Sequence, residues 1–89
     1  MKLYTHEGCA NCKKVKTLLL KLLPEMGLNY ESSVVELDID NTDVLADIIM
    51  LNIEYTPTIN IGNATITGDE ILDEANLRQF VESNIKTSP

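Results

Sequence analysis

The sequence predicts an α/β domain with a four-stranded mixed sheet flanked by three helices, in the order β-α-β-α-β-β-α. Two observations carry this prediction. Strand-like alternating runs are interspersed with runs of helical period, and the last two strand-like runs flank a Gly62-Asn63 pair, which is typical of a tight hairpin turn. Strands joined through a helix run parallel, whereas a hairpin adds antiparallel strands, so the sheet is mixed.

The first half of the chain predicts a strand–helix–strand unit. Residues 2–5 form a short strand, and the helix after it has apolar residues at positions 15, 18, 19, 22 and 26, a 3.6-residue period. Leu20 and Leu23 widen this stripe, so we expect the helix to be covered on more than one side. Pro24 should kink or end it, with Gly27 as its terminator. Residues 33–39 form the second strand.

The second half predicts a helix, a hairpin and a final helix. Asn41 and Thr42 are candidate N-caps of a helix that ends near Asn52. Its apolar residues are Val44, Leu45, Ile48 and Ile49, with Leu51 as a further candidate. Residues 59–61 and 64–67 are the hairpin strands. Asp69 or Asp73 caps the last helix, whose apolar face comprises Leu77, Phe80, Val81 and Ile85.

The sequence Gly8-Cys9-Ala10-Asn11-Cys12 lies between the first strand and the first helix. Gly8 supplies the turn, so Cys9 lies at the first turn of the helix and Cys12 one turn later on the same face. Unpaired N–H groups and the helix dipole at this end stabilise a Cys9 thiolate, which is the nucleophilic form. Residues three apart on a helix lie about 5–6 Å apart, within reach of a disulfide. The pattern indicates thiol–disulfide exchange.

The composition indicates one ordinary globular domain. The chain has 89 residues, of which 44% are hydrophobic and 24% are charged, and these values are typical of a folded protein. At this length we expect a single monomeric domain over residues 1–86, followed by a disordered tail at residues 87–89.

The net charge of −7 is unevenly distributed. Residues 1–23 carry five lysines against one glutamate, a net charge of +4, whereas the remainder carries 13 acidic residues against Arg78 and Lys86, a net charge of −11. The acidic total argues against nucleic acid as a partner. The lysine cluster has two interpretations: a solvated helix face, or a basic surface that favours a thiolate or attracts an acidic partner.

Nothing in the sequence predicts export or membrane insertion. Residues 1–7 contain neither the apolar segment nor the cleavage motif of a signal peptide. The most apolar stretch, residues 18–23, is too short to span a bilayer and contains Lys21. We therefore expect a cytoplasmic protein with no membrane contact. In a reducing compartment, a pair of cysteines is more often catalytic or metal-binding than structural.

The strand, the Cys-x-x-Cys pair at a helix start, the Thr56-Pro57 pair before the hairpin and the final helix together resemble the thioredoxin superfamily over nearly the whole chain. The short form is similar to the small thioredoxin- and glutaredoxin-like redoxins. That family has a cis-proline beside its active-site disulfide, and Pro57 matches this position. The resemblance implies that Pro57 packs against Cys9 and Cys12 while the backbone of Thr56 pairs with an extended substrate. A trans-proline at the start of a strand is the alternative.

The chain also departs from both branches of that family. Thioredoxins carry a buried aspartate six residues before the first cysteine, where this chain has Leu3, and an aromatic residue where it has Gly8. Ala10 and Asn11 stand where glutaredoxins have Pro-Tyr, and Gly68-Asp69 provides only part of their Gly-Gly-Asp loop. Glutathione is therefore the least favoured reductant.

The predicted function is that of a thiol–disulfide oxidoreductase that reduces target protein disulfides. Cys9 attacks the target, and Cys12 resolves the mixed disulfide because it lies deeper along the helix. No bound cofactor is expected, since the cysteine pair is itself the redox centre. The resemblance implies a thioredoxin-type reductase, flavin- or ferredoxin-linked, or less favourably glutathione, as the source of electrons.

Two residues near the motif have open roles. His6, three residues before Cys9, either favours the thiolate and shuttles a proton or is an exposed loop residue. Tyr55 either flanks the active site and contacts substrate or packs half-buried against the sheet.

A soft-metal carrier is the alternative function. Two thiolates suit Cu(I), and with His6 the pair would offer zinc three ligands. Copper-carrying domains with a similar motif run β-α-β-β-α-β, however, and have methionine two residues before the first cysteine, where this chain has Glu7. Structural zinc requires four ligands. An iron–sulfur cluster shared between two chains is disfavoured because the chain has no further cysteines.

Overall fold

The computed structural model describes residues 1–85. The strands are Lys2–Thr5 (β1), Val35–Asp38 (β2), Thr58–Ile61 (β3) and Ala64–Thr67 (β4). The α-helices are Ala10–Glu25 (α1), Tyr30–Ser33 (α2), Leu45–Leu51 (α3), Asp69–Leu72 (α4) and Glu74–Ile85 (α5), and a 3-10 turn, Thr42–Val44, precedes α3. The tail expected at residues 87–89 lies outside the described residues.

The four strands form one mixed sheet in the order β2-β1-β3-β4. The β1 strand is parallel to β2 and antiparallel to β3, and β3 is antiparallel to β4. The β3–β4 hairpin turns through Gly62, whose φ of 60° suits glycine because it has no Cβ. The predicted α/β fold with a four-stranded mixed sheet is confirmed.

Successive residues of β1 point to opposite faces of the sheet and show which helices cover each face. Leu3 is fully buried in one cluster with apolar residues of α1 and α5, so these helices share a face. On the other face, the Tyr4 hydroxyl donates a hydrogen bond to the Asp47 carboxylate of α3 at 3.1 Å. Lys2 Nζ lies 3.6 Å from the same carboxylate. The sheet is therefore covered by α1 and α5 on one side and by α3 on the other.

The main core lies between the sheet and the α1–α5 layer. A fully buried aliphatic side chain of this kind contributes about 1.5–3 kcal/mol to stability. The buried members of this cluster are Leu3, Val15, Leu19, Leu22, Leu23, Val34, Ile59, Ile66, Ile71, Leu77 and Val81.

The α1 helix ends as the sequence predicts, but it is covered less completely than expected. Pro24 lies in its last turn, the helix ends at Glu25, and Gly27 follows in a left-handed conformation with φ of 77°. Leu23 is buried, whereas Leu20 is 50% exposed. The expectation that Leu20 extends the covered face of α1 is therefore wrong. Among residues 1–85, no helix has the length and apolar character needed to span a bilayer.

Two four-residue helices, α2 and α4, are additional to the three predicted helices, which correspond to α1, α3 and α5. The α2 helix replaces the first residue of the predicted second strand, because Asn29 caps a turn by accepting from the Glu31 N–H at 2.8 Å. The α4 helix begins at Asp69, and Asp73 then caps α5 by accepting from the Asn76 N–H at 3.1 Å. Both candidate aspartates thus lie at helix starts.

The α3 region follows the predicted boundaries, although its apolar face is only partly buried. The Asn41 side chain accepts from the Asp43 N–H at 2.9 Å and so caps the 3-10 turn, and Asn52 ends α3 in a left-handed conformation. Val44 is buried, whereas Ile49 and Met50 are 70% and 82% exposed. One turn of this helix therefore presents apolar side chains to solvent.

The Tyr4–Asp47 contact predicts a loss of stability at high pH. Burial, followed by the hydrogen bond and the charge of Asp47, raises the pKa of Tyr4 to about 12. A raised pKa means that folding favours the protonated phenol, so this stabilisation is complete below a pH of about 10 and is lost as the pH rises towards 12. We expect this residue to account for about 2 kcal/mol of the fall in the free energy of unfolding, measured by urea denaturation.

The Tyr4→Phe variant is the comparison for this prediction. It should be less stable at neutral pH, because the bond to Asp47 is lost, and should lose less stability between pH 10 and 12. Tyr30, whose pKa burial also raises to about 12, should account for a remaining alkaline loss. Equal alkaline losses in the two proteins would contradict the role of Tyr4.

Candidate active site

The site begins where β1 ends and the chain turns into α1. Gly8 adopts φ of 79°, a left-handed conformation that residues with a Cβ rarely adopt. The Cys9 N–H donates to the carbonyl oxygen of His6 at 3.2 Å and closes this turn. Cys9 is the N-cap residue of α1, and its sulfur therefore lies at the end of the helix where backbone N–H groups lack partners.

Cys9 and Cys12 form a disulfide across the first turn of α1. Their Cα atoms are 5.3 Å apart, a separation that suits a disulfide. The Cys12 N–H donates to Cys9 Sγ at 3.0 Å, so the Cys9 sulfur occupies the position of an N-cap acceptor. Cys9 is partly exposed, whereas Cys12 is only 7% exposed. The two sulfurs therefore differ in access to a partner and in hydrogen bonding.

The segment before β3 lies across from the Cys9 sulfur. The peptide bond between Thr56 and Pro57 is cis, as the resemblance leads one to expect. The carbonyl oxygen and the hydroxyl oxygen of Thr56 each lie 3.9 Å from Cys9 Sγ. Pro57 is buried and Thr56 is partly exposed. A residue 47 positions away in the chain is thus brought to the sulfur of the helix N-cap.

Two threonines attach this segment to the hairpin. The Thr58 hydroxyl, on β3, donates to the carbonyl oxygen of Tyr55 at 2.6 Å. Because the single proton of this hydroxyl is donated to Tyr55, the Thr58 hydroxyl oxygen accepts a hydrogen bond from the Thr67 hydroxyl, on β4, at 2.8 Å. Thr67 also lies 3.3 Å from the carbonyl oxygen of Pro57. Thr58 is 1% exposed and Thr67 is partly exposed, and their hydroxyls connect the Tyr55–Pro57 segment to β4.

A cavity of about 230 Å³ opens beside the disulfide. Two contacts between polar side chains lie at its edge: His6 Nε2 is 3.2 Å from Asp40 Oδ2, and Lys16 Nζ is 3.4 Å from Glu36 Oε2. Its lining therefore combines the sulfurs with basic and acidic side chains. The lining residues are Thr5, His6, Glu7, Gly8, Cys9, Cys12, Lys13, Lys16 and Glu36.

The structure brings together most of the residues that the sequence indicates. Gly8, Cys9 and Cys12 line this cavity, and Thr56 lies next to the Cys9 sulfur. Tyr55 is separate: it is 65% exposed and lines a different cavity with the α3 end and the hairpin threonines. Leu3, at the position of the thioredoxin aspartate, is fully buried in the apolar core.

The site also contains features that the sequence did not indicate. The pairings of His6 with Asp40 and of Lys16 with Glu36 join residues from separate elements, as does the bond between Thr58 and Thr67. The hydrogen bond between Thr58 and Thr67 depends on the register of the sheet, which places these two residues directly opposite each other on β3 and β4. Within residues 1–85, no group of three or more His, Cys, Asp or Glu residues could hold a metal ion.

Comparison with known proteins gives one family match. The family model described as a thioredoxin domain matches residues 1–82, which is most of the chain. The comparisons with curated proteins and with solved structures give no match.

The threonine pair predicts a stability effect of a partly buried hydrogen-bond network. Thr58→Val keeps the side-chain shape but leaves the carbonyl of Tyr55 without its donor, so we expect the free energy of unfolding to fall by about 1–3 kcal/mol. Thr17→Val is the matched control, since Thr17 is exposed and should change stability by less than about 0.5 kcal/mol.

The double variant with Thr67→Val should lose less than the sum of the two single variants, because both hydroxyls belong to one network. Urea denaturation of the four proteins measures this coupling. Additive losses would show that the two hydroxyls act independently.

Proposed function

Because the chain belongs to the thioredoxin-domain family, we propose that it is a thiol–disulfide oxidoreductase that reduces disulfides of target proteins through Cys9 and Cys12. One observation carries the proposal. The more exposed sulfur of the pair caps a helix N-terminus and faces Thr56, while its partner three residues later is nearly buried. This asymmetry is what an attacking and a resolving thiol require.

Cys9 is the attacking residue. In the reduced protein, the Cys12 N–H and the dipole of α1 stabilise a thiolate at Cys9 Sγ. The thiolate attacks one sulfur of the target disulfide, a new S–S bond forms between Cys9 and the target, and the other target sulfur leaves as a thiolate that takes a proton from water. The backbone of Thr56 holds an extended target chain beside the attacked bond.

Cys12 resolves the mixed disulfide. Its thiol loses a proton and attacks Cys9 Sγ, so that the target leaves as its second thiol and the Cys9–Cys12 disulfide forms. Leu3 cannot accept this proton, because it is a buried aliphatic residue. The side chains of the cavity that can accept it are His6, Glu7 and Glu36.

The redox couple needs no bound cofactor, since two electrons are held as two thiols or as one disulfide. Regeneration requires an external two-electron donor, which we propose to be a flavin- or ferredoxin-linked reductase of the thioredoxin type. A reducing cytoplasm is the compartment in which such a pair turns over. Glutathione is disfavoured because Gly68-Asp69 is only part of the glutaredoxin loop.

Serine substitutions test the two roles. Cys9→Ser should abolish reduction of an insulin disulfide, because no nucleophile remains. Cys12→Ser should retain attack but fail to resolve, so a covalent adduct with the target accumulates and is seen by non-reducing electrophoresis and mass spectrometry. If both variants were equally inactive and neither formed an adduct, the proposed roles of the two cysteines would be wrong.

The pH dependence of alkylation tests the site without a target. In the fully reduced protein, Cys9 should react with iodoacetamide with a midpoint well below the ordinary thiol value of about 8.5, and Cys12 should react much more slowly. Mass spectrometry resolves the two sites. Equal reactivity of both cysteines, together with joint protection by Cu(I) or zinc, would instead favour a metal carrier.

A further inference from the structure

A second depression lies on the side of α1 next to the disulfide cavity. It has a volume of about 440 Å³ and is formed by α1 and the last residue of α4. We call this surface the basic groove and define it by its lining residues, Lys13, Lys14, Thr17, Leu18 and Leu72.

The inner surface of the basic groove is apolar. Leu18 and Leu72 are partly buried and pack against the core, leaving part of each side chain exposed at the groove. The Thr17 hydroxyl is already occupied, since it donates to the carbonyl oxygen of Lys13 at 3.0 Å. The groove therefore offers an occupant apolar contacts and the two lysine ammonium groups.

These two lysines differ from the other lysines of residues 1–23. Each of the other three has its ammonium nitrogen within 4 Å of a carboxylate oxygen: Lys2 with Asp47, Lys16 with Glu36 and Lys21 with Glu74. Lys13 and Lys14 are exposed, and within residues 1–85 neither has an ion-pair partner. Two adjacent cations are thus available to an external carboxylate.

Lys13 links the basic groove to the disulfide. It directly follows Cys12, and it lines both the basic groove and the cavity that contains Cys9 and Cys12. A target protein whose disulfide lies next to Cys9 can therefore place the residues that flank this disulfide in the basic groove. Glu7 and Glu36 line the disulfide cavity and not the groove, and among residues 1–85 no carboxylate lines the groove.

The charge of the rest of the chain affects whether a charged segment of a partner approaches the basic groove or another part of the surface. Residues 24–89 carry a net charge of −11, so a basic segment is attracted to acidic groups on many elements, whereas an acidic segment is repelled by most of them. An acidic segment is attracted by the basic groove, where Lys13 and Lys14 are exposed. Charge complementarity of this kind raises association rates and selects among partners.

We propose that the basic groove binds the segment of a target protein next to its disulfide, and that this segment carries acidic residues and an apolar side chain. The carboxylates pair with Lys13 and Lys14, and the apolar side chain contacts Leu18 and Leu72. This inference rests on the proposed function and adds a substrate class to it.

The test uses the full chain, reduced beforehand and freed of reductant, in single-turnover reactions with peptide disulfides. Three peptides differ only at two positions beside the cysteine, which are glutamate, glutamine or lysine, and each carries a neighbouring leucine. In each reaction the peptide disulfide is reduced to two thiols while Cys9 and Cys12 are oxidised to a disulfide. Rapid acid quenching, alkylation and mass spectrometry give the second-order rate constant.

At low ionic strength, the acidic peptide should react about five- to tenfold faster than the basic peptide. The ratio should fall towards one at about 0.5 M salt, because added ions screen charges that lie at the surface. Lys14→Gln and Lys13→Gln should each lower the ratio by at least about twofold. Gln79→Glu on α5 is the matched control: it makes the same change in net charge outside the groove and should leave the ratio unaltered.

A separate set of variants tests the apolar contact. Replacing the leucine of the acidic peptide by serine should slow the reaction about threefold, and this effect should disappear in Leu18→Gln but persist in Leu20→Gln, the exposed control on the same helix. If Leu18→Gln does not fold, the peptide substitution alone decides, and an unchanged rate would overturn the apolar contact.

The outcomes separate this inference from the proposed function. If none of the peptides is reduced, the oxidoreductase proposal fails and the groove inference fails with it. If all three are reduced at equal rates at low salt, the oxidoreductase proposal stands and the groove inference is overturned. Salt-sensitive self-association of the chain that Lys14→Gln abolishes, without any peptide preference, would assign the groove to a second copy instead.

Discussion

The candidate site depends on the junction at which the central strand β1 passes into α1. Strands β2 and β3 pair with the two edges of β1, and Leu3 is fully buried in the core. These contacts fix the position at which β1 ends. The left-handed turn at Gly8 then sets the direction of the helix, and Cys9 takes the N-cap position. The difference between the two sulfurs follows from this junction, because the N-cap lies at the surface while the residue one turn later points into the protein.

The second part of the site comes from a distant part of the chain and is held by different forces. Thr56 reaches the Cys9 sulfur because β3 pairs with β1, and the Thr58–Thr67 hydroxyls connect the preceding segment to β4. The core contacts that position α1 are nonpolar and lie on one face of the sheet. The hydroxyl network lies on the other face, on which Tyr4 also bonds to α3. The cysteines and the segment opposite them are therefore positioned from both sides of the sheet.

The lysines of residues 1–23 differ in whether their charge is paired. Most lysines near the N-terminus are neutralised by acids from other elements, whereas Lys13 and Lys14 keep their charge exposed beside the disulfide. Residues 24–89 carry a net charge of −11. Lys13 and Lys14 lie at the same end of α1 as the cysteine pair.

The sequence by itself determined the fold class, the strands and the place of the cysteine pair, because period, glycine turns and helix caps are local properties. Gly8, Cys9 and Cys12 could be recognised from five adjacent positions, and the hairpin from Gly62-Asn63. Only the tertiary structure decided which long-range partners meet. The exposure of Leu20, the short helices α2 and α4, the opposition of Thr58 and Thr67, and the separation of paired from free lysines all depend on packing between elements. Hydrophobic period shows that a face is apolar, but what covers it is set by elements far along the chain.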